Sequence, residues 1–151
     1  MKRSSAPAQK MQWELPATLD NVGRVCTAAG AILDQVPLQK KDRFAAELLL
    51  REALNNAVLH GCNDDPLLSF TCTLTISDEE MVIEVSDEGA GFDWRSALQI
   101  LPGILRETGR GLPVYGAYAH STKFNEAGNC VTLTRILNKK IKNTDQGDID
   151  D

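Results

Sequence analysis

Three polar side chains recur four residues apart within the otherwise apolar segment REALNNAVLHG, residues 51–61. They are Glu52, Asn56 and His60. Residues four apart on an α-helix lie on the same face, so the spacing predicts one polar stripe along a mostly buried helix. The carboxylate could accept a proton from an attacking hydroxyl group, and the amide oxygen could bind Mg²⁺, which prefers oxygen ligands. A solvated stripe without chemistry is the alternative, and this segment taken alone favours it.

A second segment, SDEGAGFD at residues 86–93, follows directly after a β-rich run. It places Asp87, Gly89 and Gly91 at D-x-G-x-G spacing. Two glycines let the backbone turn sharply and let a flat ligand approach without a Cβ in the way. The carboxylate could accept a hydrogen bond from an exocyclic amino group such as adenine N6. The same residue types are also common in ordinary turns.

A third segment, TGRGLPVYG at residues 108–116, places Gly109 and Gly111 at the start of a predicted helix, with Pro113 in its first turn. Backbone N–H groups at a helix start can bind an anion, and glycines let a phosphate come close. Proline suits the first turn because no helical donor is lost there. The pattern indicates a phosphate-binding segment or, alternatively, an ordinary junction between a loop and a helix.

The hydrophobic periodicity predicts the elements that must position these segments. In chain order they are a strand in 11–17, a helix over 18–35, a second helix over 37–61, a hairpin of 67–77 and 80–87, a glycine-containing loop, a helix over 111–120, and a hairpin over 122–137 with its turn at 126–129. This order predicts an α+β two-layer sandwich, in which an antiparallel sheet carries helices on one face. We expect one domain at 10–138, a flexible arm at 1–9 and a polar tail at 139–151.

Composition restricts the class of protein. The chain has 151 residues, 42% apolar residues and a formal net charge of −5, which fits one globular domain and argues against a nucleic-acid binder. No apolar run approaches the roughly 20 residues of a membrane span, and no signal peptide opens the chain. The cysteines lie far apart, as expected for packing roles in a reduced cytoplasm and not for a zinc site. They are Cys26, Cys62, Cys72 and Cys130.

The three motifs in this order resemble the Bergerat fold of the GHKL ATPases. Within that superfamily, EALNNAVLHG, VSDEGAGFD and TGRGLPVYGAYA are most similar to the anti-sigma-factor serine/threonine kinases of bacteria. The resemblance extends from about residue 12 to 137 and includes the closing strand GNCVTLTRIL. It therefore implies a mixed or antiparallel sheet of the Bergerat type.

The resemblance also implies ATP and Mg²⁺ as cofactors and a role for each motif. Glu52 would be the general base and Asn56 the Mg²⁺ ligand. Asp87 would contact adenine in a pocket shaped by Gly89 and Gly91. The phosphates would be held by four consecutive residues: Gly109, Arg110, Gly111 and Leu112. In this family the γ-phosphate passes to a serine or threonine of a small antagonist protein, the kinase sequesters a sigma factor or similar regulator, and a homodimer is expected.

Other functions are weighed against the kinase. A non-catalytic, ATP-dependent protein-binding module is one, favoured by Glu107 close to the predicted phosphate segment and disfavoured by Glu52. The catalytic half of a histidine kinase would need a helix with a phosphorylated histidine, for which the roughly ten residues before the first strand leave no room. For His60 we expect a structural role at the helix end. The apolar segment 92–108 could pack on the core or dock a partner.

Overall fold

A computed structural model of the chain describes residues 8–91 and 112–137. The elements in order are β1 (Gln9–Pro16), α1 (Leu19–Leu33), α2 (Lys40–Asn56), a π-helical turn (Ala57–Gly61), β2 (Ser69–Ile76), β3 (Glu80–Asp87), α3 (Leu112–Tyr118), β4 (Ser121–Phe124) and β5 (Cys130–Ile136). The predicted polar tail, the segment 92–108 and most of the predicted arm lie outside the described residues. Gln9, assigned to the arm from sequence, already belongs to β1.

The five strands form one antiparallel sheet in the order β1-β2-β3-β5-β4. The predicted α+β architecture is therefore confirmed, and the pairing is antiparallel throughout this sheet. The last described strand, β5, lies between β3 and β4, so the second hairpin adds to the sheet through its second strand. This arrangement places the end of β3, at Asp87, beside the start of β5, at Cys130.

Alternating side chains explain why the helices cover one face of the sheet. Strand β2, SFTCTLTI, alternates half-buried serine or threonine with fully buried apolar residues. Successive side chains of a strand point to opposite faces, so one face of β2 joins the core and the other carries hydroxyl groups. Helix α1 begins after Thr18, whose side-chain oxygen accepts a hydrogen bond from Asn21 N at 3.1 Å. It buries Val22, Val25, Ala29 and Leu33.

The second helix departs from the prediction at its carboxyl end. A single helix through residue 61 was expected, but residues 57–61 form a π-helical turn, in which Cys62 N donates to Ala57 O at 2.8 Å. An i→i+5 turn is wider than an α-helical one, so the residues after Asn56 depart from regular α-helical spacing. Glu52 and Asn56 lie one turn apart on α2, as predicted, whereas the place of His60 on the same stripe stays a prediction. Gly61, the last residue of this turn, packs against β3, as described below.

A buried ion pair joins α2, α3 and β5. Asp42 is only 2% exposed. Arg135 Nε and Nη2 each lie 2.9 Å from Asp42 Oδ1, and Nη1 donates to the Tyr118 carbonyl oxygen at 2.7 Å. Next to it, His120 Nδ1 accepts from Ile136 N at 2.9 Å. The carboxyl end of α3 is thus fixed to the sheet by side-chain hydrogen bonds.

Within residues 8–91 and 112–137, no helix is both long enough and apolar enough to span a membrane.

Candidate functional site

A cavity opens in the described part of the chain where α2, β3, α3 and β5 approach one another. Three of the predicted site residues, Asn56, Asp87 and Gly91, line it. The other lining residues are mostly small or apolar: Ala53, Ala57, Gly61, Val85, Tyr115, Phe124, Gly128, Asn129, Cys130 and Val131. The fold therefore brings the first two predicted motifs, which are about thirty residues apart in the sequence, to one place.

Asp87 is the last residue of β3, and local hydrogen bonds fix its position. Its backbone N–H donates to Asn129 O at 2.9 Å, and its Oδ1 accepts from Gly89 N at 2.7 Å. A carboxylate offers about four lone-pair sites, so it can accept hydrogen bonds from a ligand as well. The arrangement presents a negatively charged acceptor in a cavity with apolar walls.

Glycines bring the backbone against this carboxylate. A Cβ on Gly61 would overlap the carboxylate of Asp87, and a Cβ on Gly89 would overlap the carbonyl oxygen of Gly61. Gly91 has a φ of +90°, a conformation that side-chain-bearing residues rarely adopt, and a Cβ there would overlap the Ala127 carbonyl. Gly61 has no predicted role in the site because, in the sequence, it looks like an ordinary helix terminator.

The turn between β4 and β5 supports the glycine segment. Asn125 Oδ1 accepts from three backbone N–H groups, those of Gly128 at 2.8 Å, Asn129 at 3.0 Å and Cys130 at 3.2 Å. Asn129 Nδ2 then donates to Gly89 O at 3.1 Å. The sequence predicted a turn here but gave no sign of its contact with residues 89–91, because that contact joins segments far apart in the chain.

Asn56 is held by a tyrosine from α3. Its Nδ2 donates to the Tyr115 hydroxyl oxygen at 2.9 Å, and Tyr115 is 2% exposed. Burial raises the pKa of this hydroxyl above its ordinary value; the hydrogen bond from Asn56 lowers it, and the charge of Glu52 raises it. The phenol is therefore neutral at physiological pH. Glu52 is half-buried one turn before Asn56, so the carboxylate, the amide and the phenol form one group.

Cys130 is the one cysteine that lines this cavity. Its thiol lies 3.5 Å from Glu84 Oε2, and burial, followed by the interaction with Glu84, raises its pKa to about 11. The thiolate is the nucleophilic form, so this shift disfavours nucleophilic attack by the cysteine at neutral pH. We therefore assign Cys130 a place in the cavity wall and no covalent role.

The remaining predicted residues are only partly described. Gly109, Arg110 and Gly111 lie outside the described residues, whereas Leu112 is the first residue of α3. Neither Glu52 nor His60 is among the residues that line the cavity. The phosphate-binding role of residues 109–112 therefore stays a prediction.

The chemistry of the cavity fits a flat, hydrogen-bonding base together with a hard cation. Apolar side chains such as Val85 and Val131 can contact the faces of a planar ring, and Asp87 can accept from its amino group. Gly61 and Gly91, where a Cβ would overlap neighbouring protein atoms, form part of the cavity wall. The Asn56 carboxamide supplies the type of oxygen that Mg²⁺ prefers, with the Glu52 carboxylate one turn away on the same helix.

Comparison with known proteins agrees with this geometry. The chain is 26% identical over 139 residues to an anti-sigma F factor of Clostridium perfringens (strain SM101 / Type A), covering 89% of this chain and 98% of that protein. It is 23% identical over 120 residues to an anti-sigma F factor of Shouchella clausii (strain KSM-K16), covering 77% and 82% respectively. Residues 15–135 match the family model described as histidine kinase-like ATPase domain. The chain therefore belongs to that family, and its predicted place among the Bergerat-fold (GHKL) ATPases is confirmed.

Proposed function

We propose that the protein is an ATP-dependent serine/threonine protein kinase of the anti-sigma-factor type. It transfers the γ-phosphate of ATP to a serine or threonine of a small antagonist protein, and it sequesters a sigma factor or similar regulator in the cytoplasm. The convergence of Asn56 and Asp87 on one glycine-lined cavity is the observation that carries this proposal. Similarity to two anti-sigma F factors over most of the chain supports the choice of partners.

ATP occupies the cavity in this proposal with its adenine ring between the apolar walls. The exocyclic amino group donates to Asp87, whose carboxylate is held in place by Gly89 N. Gly61, Gly89 and Gly91 let the segments beside the cavity pack closely, because a Cβ at any of them would overlap a neighbouring residue. Residues 109–112 contact the phosphates, and the whole ATP-binding domain spans 10–138.

The polar stripe of α2 supplies the reacting groups. Asn56 Oδ1 would hold Mg²⁺, which when bound would neutralise charge on the phosphates. Glu52 accepts the proton of the serine or threonine hydroxyl. At the same time the hydroxyl oxygen bonds to the γ-phosphorus, and the bond between the γ-phosphorus and ADP breaks. Phosphoryl transfer depends mostly on positioning and electrostatics, so this small set of residues is sufficient.

A phosphoryl-transfer assay tests the kinase. The chain is incubated with labelled ATP, Mg²⁺ and the candidate antagonist protein, and acid-stable phosphoserine or phosphothreonine is expected. Glu52→Gln should lower transfer by about 100-fold or more, the usual effect of losing a general base, while ATP still binds. Glu47→Gln is the matched control, because Glu47 lies on the same helix and pairs with Arg43 at the surface.

The assay also separates the alternatives. Transfer by Glu52→Gln at the wild-type rate would remove Glu52 from the mechanism. ATP-dependent capture of the regulator without any transfer would identify the non-catalytic binding module instead. Light scattering with and without ATP tests the proposed homodimer.

A further inference from the structure

The amide of Asn56 and the hydroxyl of Tyr115 join two segments that the three sequence motifs treat separately. Asn56 ends α2, whereas Tyr115 lies in α3, fifty-nine residues later. Tyr115 carries no role in the function proposed above. Its buried hydroxyl nevertheless receives a hydrogen bond from a side chain that lines the cavity.

This hydrogen bond anchors the carboxamide and, in the structure, places its nitrogen toward Tyr115. The carboxamide is planar, with its donating nitrogen and its accepting oxygen on either side of the Cβ–Cγ axis. With Nδ2 bonded to the Tyr115 hydroxyl at 2.9 Å, Oδ1 is directed away from Tyr115. Rotation of the amide by 180° would exchange the two atoms and place a donor where a cation needs an oxygen.

We propose that Tyr115 is a positioning residue for the cation site: its hydroxyl holds the Asn56 amide with Oδ1 directed toward the Mg²⁺ that accompanies ATP. The inference rests on the proposed function, because it concerns the cation of the same nucleotide. Groups that orient a metal ligand usually affect metal affinity by about 10- to 100-fold. Losing the hydroxyl should therefore weaken the response to Mg²⁺ while leaving the adenine contacts intact.

The surroundings make Tyr115 suited to this role. Its ring is packed in the core, so the hydroxyl has a fixed position. The helix that carries it is also anchored at its carboxyl end by the bond from Arg135 to the Tyr118 carbonyl. The Asn56 amide is therefore held by a rigid support, and less reorganisation is needed when a cation binds.

The test measures nucleotide binding by calorimetry on the full chain, without relying on turnover. ATP affinity is determined in EDTA and over a series of Mg²⁺ concentrations for wild type, Tyr115→Phe and Tyr118→Phe. Tyr118 is the control, because it lies on the same helix and its ring meets Phe44 edge-on at 5.8 Å. Tyr115→Phe should raise the Mg²⁺ concentration for half-maximal enhancement of ATP binding about tenfold, with affinity in EDTA unchanged. Tyr118→Phe should match wild type in both conditions.

Each other outcome has a distinct meaning. An unchanged Mg²⁺ midpoint in Tyr115→Phe, or an equal loss of affinity in EDTA and in Mg²⁺, would overturn the positioning role. Failure of the wild type itself to bind ATP would overturn the proposed function instead. In an Asn56→Ala background, Tyr115→Phe should produce no further shift, and an added shift would show that the tyrosine acts by another route. If Tyr115→Phe is unfolded, Tyr115→Met gives the same comparison, since methionine also lacks a hydroxyl and adapts to irregular core space.

Discussion

At the residue scale, Gly61 and Gly89 bring two stretches of backbone against the carboxylate of Asp87. The space between these groups is too small for a Cβ on either glycine. The Asp87 side chain cannot shift freely to make room for a Cβ, because its Oδ1 accepts from Gly89 N and its backbone N–H donates to Asn129 O. The position of the carboxylate therefore depends directly on the absence of a side chain at Gly61.

Gly61→Ala should weaken ATP binding by at least about tenfold. The added methyl group would displace the Asp87 carboxylate from the position it needs to accept from adenine, and one good hydrogen bond to a charged group corresponds to roughly this factor. Calorimetric titration with ATP measures the loss. Gly23→Ala is the control: nothing lies within 4 Å of its Cβ position in α1, so it should bind ATP normally. It should also be more stable by up to about 1 kcal/mol. Equal affinities of Gly61→Ala and wild type would contradict the proposed role of the carboxylate.

At the element scale, α3 is held at its centre and at its carboxyl end by side chains from other elements. Asn56 of α2 bonds to Tyr115, and Arg135 of β5 bonds both to the Tyr118 carbonyl and to the buried Asp42. These bonds are polar contacts inside or at the edge of an apolar core, where loss of a charged partner is costly. Because α3 has only seven residues, these side-chain contacts hold it in position more than its own helical hydrogen bonds do.

Arg135→Met should lower the free energy of unfolding by about 3 kcal/mol or more, because it removes the guanidinium group from a buried carboxylate. Methionine keeps much of the apolar stem, so the loss reports mainly on the ion pair and the bond to the helix end. Urea denaturation measures it. In the control Arg24→Met, the ion pair to Asp20 has side chains 72% and 84% exposed, and a change below about 1 kcal/mol is expected. Similar effects of the two substitutions would show that the buried pair contributes little.

The elements also show how far sequence reasoning reaches. Period-two alternation in β2 and the apolar spacing of α1 are local signals, and both elements were predicted, with ends shifted by about two residues. The π-helical turn at 57–61 was missed because no local pattern in the sequence marks it; its last residue, Gly61, contacts Asp87 far along the chain. Tyr115 was missed for the same reason: nothing near it in the sequence indicates that its hydroxyl meets Asn56. Motif spacing predicts which residues carry chemistry, whereas their supporting contacts come from distant segments.

At the scale of the whole molecule, the cavity exists only when α2, β3, α3 and β5 are all in place. A ligand that binds there binds the folded state and not the unfolded chain. Nucleotide binding and global stability are therefore linked, and each can be used to measure the other.

Saturating ATP with Mg²⁺ should raise the free energy of unfolding by about 2.7 kcal/mol when free ATP is 100 times its dissociation constant. Asp87→Asn should lose most of this increment, because the amide replaces the acceptor proposed for the adenine amino group with a mixed donor and acceptor. Chemical denaturation with and without ATP measures the difference. Asp20→Asn, on the surface of α1, is the control and should keep the full increment. A full increment in Asp87→Asn would show that the nucleotide binds elsewhere.

The place of β5 in the sheet has a consequence for how the protein is made. A ribosome releases the amino end first, so β3 emerges well before the strand that covers its second edge. Until then, that bare edge can pair with a strand from another nascent chain. Strand β4 must wait as well, because its partner in the described sheet is β5. A polypeptide that stalls before Cys130 would expose both strands. It would be prone to aggregation and would be a substrate for chaperones.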